Sequence, residues 1–308
     1  MIDFSKKPIF LAPLAGFSDL PLRSVVKRFG CDVTVSEMIS ANALVYEGSD
    51  KTLEMLKKSP EETPYIVQIA GSDSEIIKKA VEIINKFDGI DGIDLNCGCP
   101  VPKVVKQCAG SALLKDIDNL KKIVETIKKT SNKSMLSVKM RLGFDEKMPE
   151  ILALAAQDAG ADFISIHGRT RVGGYSAEVD YNAIKRAKES VKIPVVANGD
   201  IDEKNAAEVF KITGCDAIMI GRASIGKPWI FHEIKTTNKV SSELKKDIIL
   251  AHFDAMIAHY GTYGVSIFRK HLHQYSKGID GASSFRDEVN RINNMKLMRD
   301  KIEAFFTI

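Results

Sequence analysis

Asp91-Gly92-Ile93-Asp94-Leu95-Asn96-Cys97-Gly98-Cys99-Pro100 reads as an apolar strand that stops abruptly in a polar loop. Gly98 and Pro100 end the strand, so Asn96, Cys97 and Cys99 fall at its C-terminal mouth. A cysteine on such a loop can serve as acid, base or nucleophile, or can be a small buried thiol. Which reading holds depends on how the other strands end.

Working outward, short apolar runs alternate with amphipathic stretches. Eight strands are expected: Ile9–Leu14, Val33–Glu37, Tyr65–Ala70, Gly92–Asn96, Leu136–Met140, Phe163–His167, Pro194–Asn198 and Ala217–Gly221. Ile, Val and Leu dominate them without clean alternation, as expected for strands buried on both faces. Helices are expected over Glu75–Phe87, Leu120–Lys129, Pro149–Ala159 and Glu203–Ile212; the first puts Ile76, Ala80, Ile83, Ile84 and Phe87 on one face. Eight strands alternating with helices predict an α/β fold, a (β/α)8 TIM barrel. An open doubly wound sheet is the alternative. The G-x-G-x-x-G turn of a dinucleotide-binding sheet is missing after the first strand, which weighs against it.

After about Thr236 strand signals vanish. Ser242–His259, Ser266–Lys277, Ser283–Asn293 and Asn294–Phe306 read as helices, so the expected organisation is a barrel over 1–236 and an all-helical domain over 237–308. In the second of these helices Phe268, Leu272 and Tyr275 can face a core, and Arg269, His273 and Lys277 repeat every four residues on another face. Such a basic face is either solvated or a contact for an anion.

Active sites of these barrels lie at the C-terminal ends of the strands. There the sequence offers Gln68, Asn96, Lys139, His167, Asn198-Gly199-Asp200 and Gly221-Arg222. Amide, ammonium and imidazole groups together suit a polar heterocycle carrying a phosphate. The last two of these loops follow the seventh and eighth strands, a frequent phosphate site in such barrels. Their glycines permit close backbone approach, and Arg222 can pair with phosphate oxygens. Two ordinary turns would look the same.

The bulk numbers bound the rest. The chain has 308 residues, 44% of them hydrophobic, enough for a large core. A net charge of +4 permits an anionic partner without requiring one. Five cysteines, an odd number, and no leader pattern predict free thiols in a reducing cytoplasm. No apolar run approaches a membrane span. Cys97, Cys99 and Cys108 lack zinc-ligand spacing, and so do His252, His259, His271 and His273, so no metal is expected.

With these residues in view, the chain resembles the tRNA-dihydrouridine synthases, most closely their B-type bacterial branch. The resemblance runs through Ala12 to Asp19, Thr34 to Met38, Val67 to Asp73, Asp94 to Pro100, Ala109 to Leu114, His167 to Arg171, Ala197 to Ile201 and Met219 to Trp229, with Arg269-Lys270-His271 in the tail. It covers nearly the whole chain. It implies an FMN-dependent barrel with a helical tRNA-docking domain. By position Pro13, Leu14 and Ala15 would contact the flavin. Gln68, Lys139 and His167 would hold its isoalloxazine and ribityl parts. Asn198, Gly199, Asp200, Gly221 and Arg222 would hold the rest and the phosphate. Cys99 matches the family's catalytic cysteine. Three departures stand out: Leu14 replaces a usual Met, Cys97 is an additional thiol, and Val105 and Cys108 replace a more usual Asn and Leu.

The reaction this implies is NADPH-driven reduction of a D-loop uridine to 5,6-dihydrouridine. A hydride would pass from flavin N5 to C6, and Cys99 would give C5 its proton as a general acid. A free thiol titrates near ~8.5, so its protonated form dominates at neutral pH. The uracil must leave the tRNA fold to reach the flavin. Asn96 is the candidate for its hydrogen-bonding edge. Arg141, Arg169 and Arg171 are candidates for RNA phosphates, joined by Arg269, His273 and Lys277. A monomer is expected. The competing readings are a small-molecule flavin reductase resembling dihydroorotate dehydrogenase, a flavin-bound tRNA-folding module, and a plain phosphate-binding isomerase. The target uridine, the choice between NADPH and NADH, and the role of Cys97 are not legible in the sequence.

Overall fold

Parallel strands need long crossovers, and here helices supply them. The computed structural model describes residues 1–307. In chain order it runs β1 (Ile9–Leu11), α1 (Leu20–Arg28), β2 (Val33–Val35), β3 (Ile39–Ser40), α2 (Asp50–Glu54), β4 (Tyr65–Ala70), α3 (Ser74–Ile84) and β5 (Gly92–Cys97). It continues with α4 (Pro102–Val105), α5 (Ile117–Thr130), β6 (Met135–Arg141), α6 (Pro149–Asp158), β7 (Phe163–His167), α7 (Tyr181–Ser190), β8 (Val195–Asn198), α8 (Ala206–Thr213) and β9 (Ala217–Ile220). Then come α9 (Ile230–Thr236), α10 (Ser242–Tyr260), α11 (Tyr263–Tyr275), α12 (Ala282–Val289) and α13 (Met295–Phe305).

All pairings are parallel, in the order β2-β1-β9-β8-β7-β6-β5-β4-β3, and β2 also pairs with β4. The last pairing closes an eight-stranded TIM barrel, as expected. The two-residue β3 hangs on β4 beside it, a strand the sequence reading did not anticipate. β1 and β2 are shorter than expected and end at Leu11 and Val35. Pro13 has no N–H to continue a ladder, and Ser36 Oγ instead accepts from the backbone N–H of Gln68. Helices α1 and α7 were also unanticipated; Asp19 and Asp180 cap them by accepting from Leu22 and Ala183 N–H.

The expectation of strands without alternation is corrected. Ile93 and Leu95 of β5, and Leu136, Val138 and Met140 of β6, belong to the core between strands and helices. Asp94, Asn96, Ser137 and Lys139 alternate with them and point the other way, into the barrel. The barrel floor is apolar. Phe10, Phe163, Val196, Ala217 and Met219 fill it, and Phe4 plugs it with its ring centroid 5.4 Å from that of Phe163. The interior is therefore greasy at the bottom and polar toward the mouth.

The C-terminal helices share a second core, built on Phe253, Phe268, Leu272, Phe285 and Ile302, which also takes in Val25 of α1 and Trp229. No described helix is long and apolar enough to cross a membrane.

One buried ion pair pins α1 to the barrel. Arg23 Nε donates to Glu62 at 2.7 Å, with exposures of 2% and 0%. The same Glu62 carboxylate accepts from Thr34 Oγ1 and from Ser59 N–H. Breaking such a pair leaves an uncompensated buried charge. Glu62→Ala is expected to lower unfolding free energy by about 3–5 kcal/mol, read from urea midpoints. A loss under about 1 kcal/mol would show that the pair is dispensable.

Candidate active site

The polar half of the barrel interior is one hydrogen-bonded chain. Asp94 accepts from Ser137 Oγ at 2.6 Å and from Gln68 Nε2 at 2.7 Å. Gln68 Oε1 accepts from Asn96 Nδ2 at 2.8 Å. Asn96 Oδ1 then accepts the backbone N–H groups of Gly98 and Cys99. Burial pushes the Asp94 carboxyl up to about 6. The expected role of Asn96 as the edge that reads a base is corrected accordingly: its oxygen is committed to the Cys99 loop.

The Cys99 loop is held from three further sides. Ser111 donates to the Cys99 carbonyl through both its N–H and its Oγ. Arg141 Nε donates to Gly98 O at 2.8 Å. Gly110 approaches so closely that a Cβ on it would lie 2.9 Å from Cys99 O, and its φ of +61° is left-handed. Cys99 itself is partly exposed, whereas Cys97 is fully buried in the outer core and burial pushes its thiol far up. Cys97 is thus a packing residue. All five cysteines are free, as expected.

Beside this loop a cleft of about 460 Å³ opens at the barrel mouth. Pro13, Leu14, Lys139, His167, Asn198, Gly199, Asp200, Gly221 and Arg222 all line it. Nine of the expected cofactor residues therefore come together. Two do not: Ala15 is exposed on the rim, and Gln68 is buried below in the Asp94 chain. Tyr175, which the sequence reading passed over, also lines the cleft. Its ring covers the guanidiniums of Arg222 and Arg141, at 4.7 and 5.4 Å. A tyrosine in a Gly-rich loop carries no periodic signal by which to be found.

Two cations, Lys139 and Arg222, and two carboxylates, Asp200 and Asp202, line the cleft. Lys139 Nζ donates to Asn198 Oδ1 at 3.1 Å, and no carboxylate among the described residues pairs with it. Burial is the main cause that brings its ammonium down to about 8. His167 is brought down to about 2, first by burial and then by Lys139, Arg141 and Arg169. It is neutral at working pH. Arg169 NH1 approaches its Nε2 at 3.3 Å, so the hydrogen-bond network assigns the ring proton to Nδ1. Asp200 bridges Arg169 and Arg222, each at 2.5 Å, and these hydrogen bonds hold its carboxyl below the usual range. Two guanidiniums thus share one carboxylate at that corner.

The basic residues expected to meet RNA divide. Arg141 and Arg169 are 2% and 4% exposed and are committed to the protein. Arg141 NH1 reaches Thr170 O and Gly174 O, and Arg169 Nε reaches Ala177 O. Their assignment to phosphates is corrected: they brace the mouth loops. Arg269 donates to Ile292 O and Asn293 Oδ1, and His273 pairs with Asn290, so both clamp the turn between α12 and α13. Arg171, stacked over Phe144 at 5.1 Å, is partly exposed, and Lys277 is exposed in a cleft with Lys239 and Lys245. Lys270 carries a contact the sequence did not reveal. From α11 its Nζ reaches Gly16 O and lies 5.3 Å from the Phe17 ring, so the helical region touches the mouth loop after β1.

The family model described as "Dihydrouridine synthase (Dus)" matches residues 10–307. A Helicobacter pylori protein named "Probable tRNA-dihydrouridine synthase" is 50% identical over 99% of this chain and 94% of its own length. "tRNA-dihydrouridine synthase B" of Vibrio vulnificus is 38% identical over 98% of this chain and 96% of its own. Among solved structures, an old yellow enzyme homologue from Zymomonas mobilis superposes with a TM-score of 0.55 at 14% identity. It covers 77% of this chain and 90% of that one, a likeness of fold.

The charge on Lys139 is open to measurement. Its folded-state value of about 8 lies below the ordinary 10.5. A depressed value makes the cofactor-free protein gain stability as pH rises from about 8 to about 10.5, and lose it as pH falls back through 8. The group is partly exposed to the cleft, so the gain is on the order of 1–2 kcal/mol. Lys139→Met is expected to be more stable than the parent near about pH 7, with the gap closing toward about pH 10. Parallel pH profiles of the two proteins would contradict this.

Proposed function

The chain belongs to the dihydrouridine synthase family, a family of oxidoreductases, and on that premise we propose that it reduces uridines in the D-loop of tRNA. The supporting observation is the Cys99 loop, tied by Asn96, Ser111 and Arg141 beside a cleft that presents one unpaired ammonium and one neutral imidazole. The residues present fit FMN. Lys139 lacks an anionic partner and suits an electron-rich ring oxygen. The backbone at Gly199 and Asp200 is left-handed, and that at Gly221 is open, which leaves room for close approach of a phosphate. Pro13 and Leu14 offer an apolar wall. When bound, FMN supplies the hydride to uracil C6, with NADPH as the electron source.

The chain's own groups do the rest. Lys139 holds the electron-rich edge of the ring system. His167 donates from Nδ1 to a carbonyl oxygen without needing to be charged. Cys99 gives its thiol proton to uracil C5. Asn96 and Arg141 act through the backbone of the loop and are positioning residues. Arg171, partly exposed, and Lys277, exposed, meet the RNA backbone and make binding weaken with salt. A cytoplasmic site of action follows from the tRNA substrate.

The decisive measurement incubates the purified protein with NADPH and tRNA lacking dihydrouridine, and maps reduced uridines by mass spectrometry of nuclease fragments. Reduction at defined D-loop positions is expected. Cys99→Ala should lower turnover ~10²–10⁴-fold while flavin absorbance is retained. Full turnover in that variant would remove Cys99 as the acid. NADPH consumption with flavin bound but no uridine reduced would point to a small-molecule substrate.

A further inference from the structure

The histidines of the C-terminal helices have no ligand spacing along the chain, yet two of them meet an aspartate from the far end of the sequence. One ligand-capable atom from each of Asp19, His252 and His271 lies within 4.8 Å of the other two. The three residues are 5%, 0% and 1% exposed. They sit where the N-cap of α1 meets α10 and α11. We propose that they form a binding site for a divalent transition-metal ion of the zinc class, which ties the helical region to the barrel wall.

Unpartnered polar atoms are the independent sign. Nε2 of His252 and Nε2 of His271 are both buried with no hydrogen-bond partner. Buried polar atoms are almost always paired, so two orphans on adjoining imidazoles call for an occupant. The rings lie edge to face with centroids 4.6 Å apart. His252 Nδ1 is bound to Tyr275 Oη at 2.8 Å, the kind of outer contact that orients a metal-ligating imidazole. Asp19 has no ion-pair partner among the described residues. Its Oδ1 caps Leu22 N–H, and its Oδ2 accepts from Tyr260 Oη. A cation would supply the charge that burial has left uncompensated.

The donor set selects the ion. Two imidazole nitrogens and one carboxylate suit zinc and its transition-metal neighbours, not magnesium or calcium. Three protein donors leave a fourth position for water. Ligand bonds of ~2.0–2.2 Å place ligand atoms of a tetrahedral ion ~3.3–3.6 Å apart, so binding draws the three groups together slightly. Lys270 opposes this charge, but its Nζ is directed to Gly16 O. Asp19 also lines a cleft of about 520 Å³ together with Glu37, Tyr260 and Tyr263.

The test uses the full chain. It is stripped with a chelator, given excess Zn²⁺, passed through gel filtration and assayed by elemental analysis and thermal melting. One zinc per chain and a raised Tm are expected. His271→Gln and His252→Gln, checked for fold by circular dichroism, should each retain zinc at least ~10-fold more weakly. No zinc on the unaltered protein would overturn the proposal, as would equal retention by both variants. So would a high-resolution structure from zinc-containing solution with only water between the three side chains.

Discussion

A carboxylate inside a closed barrel must be paired, and Asp94 is the group on which this site depends. Its partners are Ser137 and Gln68, and Gln68 passes the chain on to Asn96 and so to the backbone of Gly98 and Cys99. The position of the Cys99 loop is thus set from within the barrel, by satisfied polar groups in a place where unsatisfied ones are costly. The apolar floor below, closed by Phe4, keeps this chain dry from the other end.

The mouth is shaped by the same logic. Arg141 and Arg169 have lost their freedom to meet a ligand because loop carbonyls surround them. In exchange they carry fixed positive charge toward His167, which burial first, then Lys139 and these two guanidiniums, keep neutral. Lys139 lines the cleft without a carboxylate partner among the described residues. The helical region contributes at one edge, where Lys270 reaches the Gly16 loop and the ring of His271 stands edge-on to Phe17 at 5.5 Å.

Much of the fold was legible. Tyr65–Ala70 and Phe163–His167 end where the sequence reading placed them, and the other strands differ by a few residues. Helix α1 was harder because Pro21 and Arg23 interrupt its apolar spacing. The alternation in Ile93-Asp94-Leu95-Asn96 and Leu136-Ser137-Val138-Lys139 is present in the letters, but parallel strands are ordinarily apolar on both faces, so polar positions in them carry no strand signal of their own.

What the sequence determined by itself is the order of elements, the closure they imply, the family they belong to and the chemical groups brought to the mouth. Those follow from local periodicity and from motifs a few residues long. What only the tertiary structure decided is which of those groups are free. Asn96, Arg141, Arg169, Arg269 and His273 looked available in the sequence and are committed in the fold. Asp19, His252 and His271 looked unrelated and are neighbours. The reason is physical: a side chain's partners are mostly backbone and side-chain groups that arrive from distant segments, and no local pattern records them.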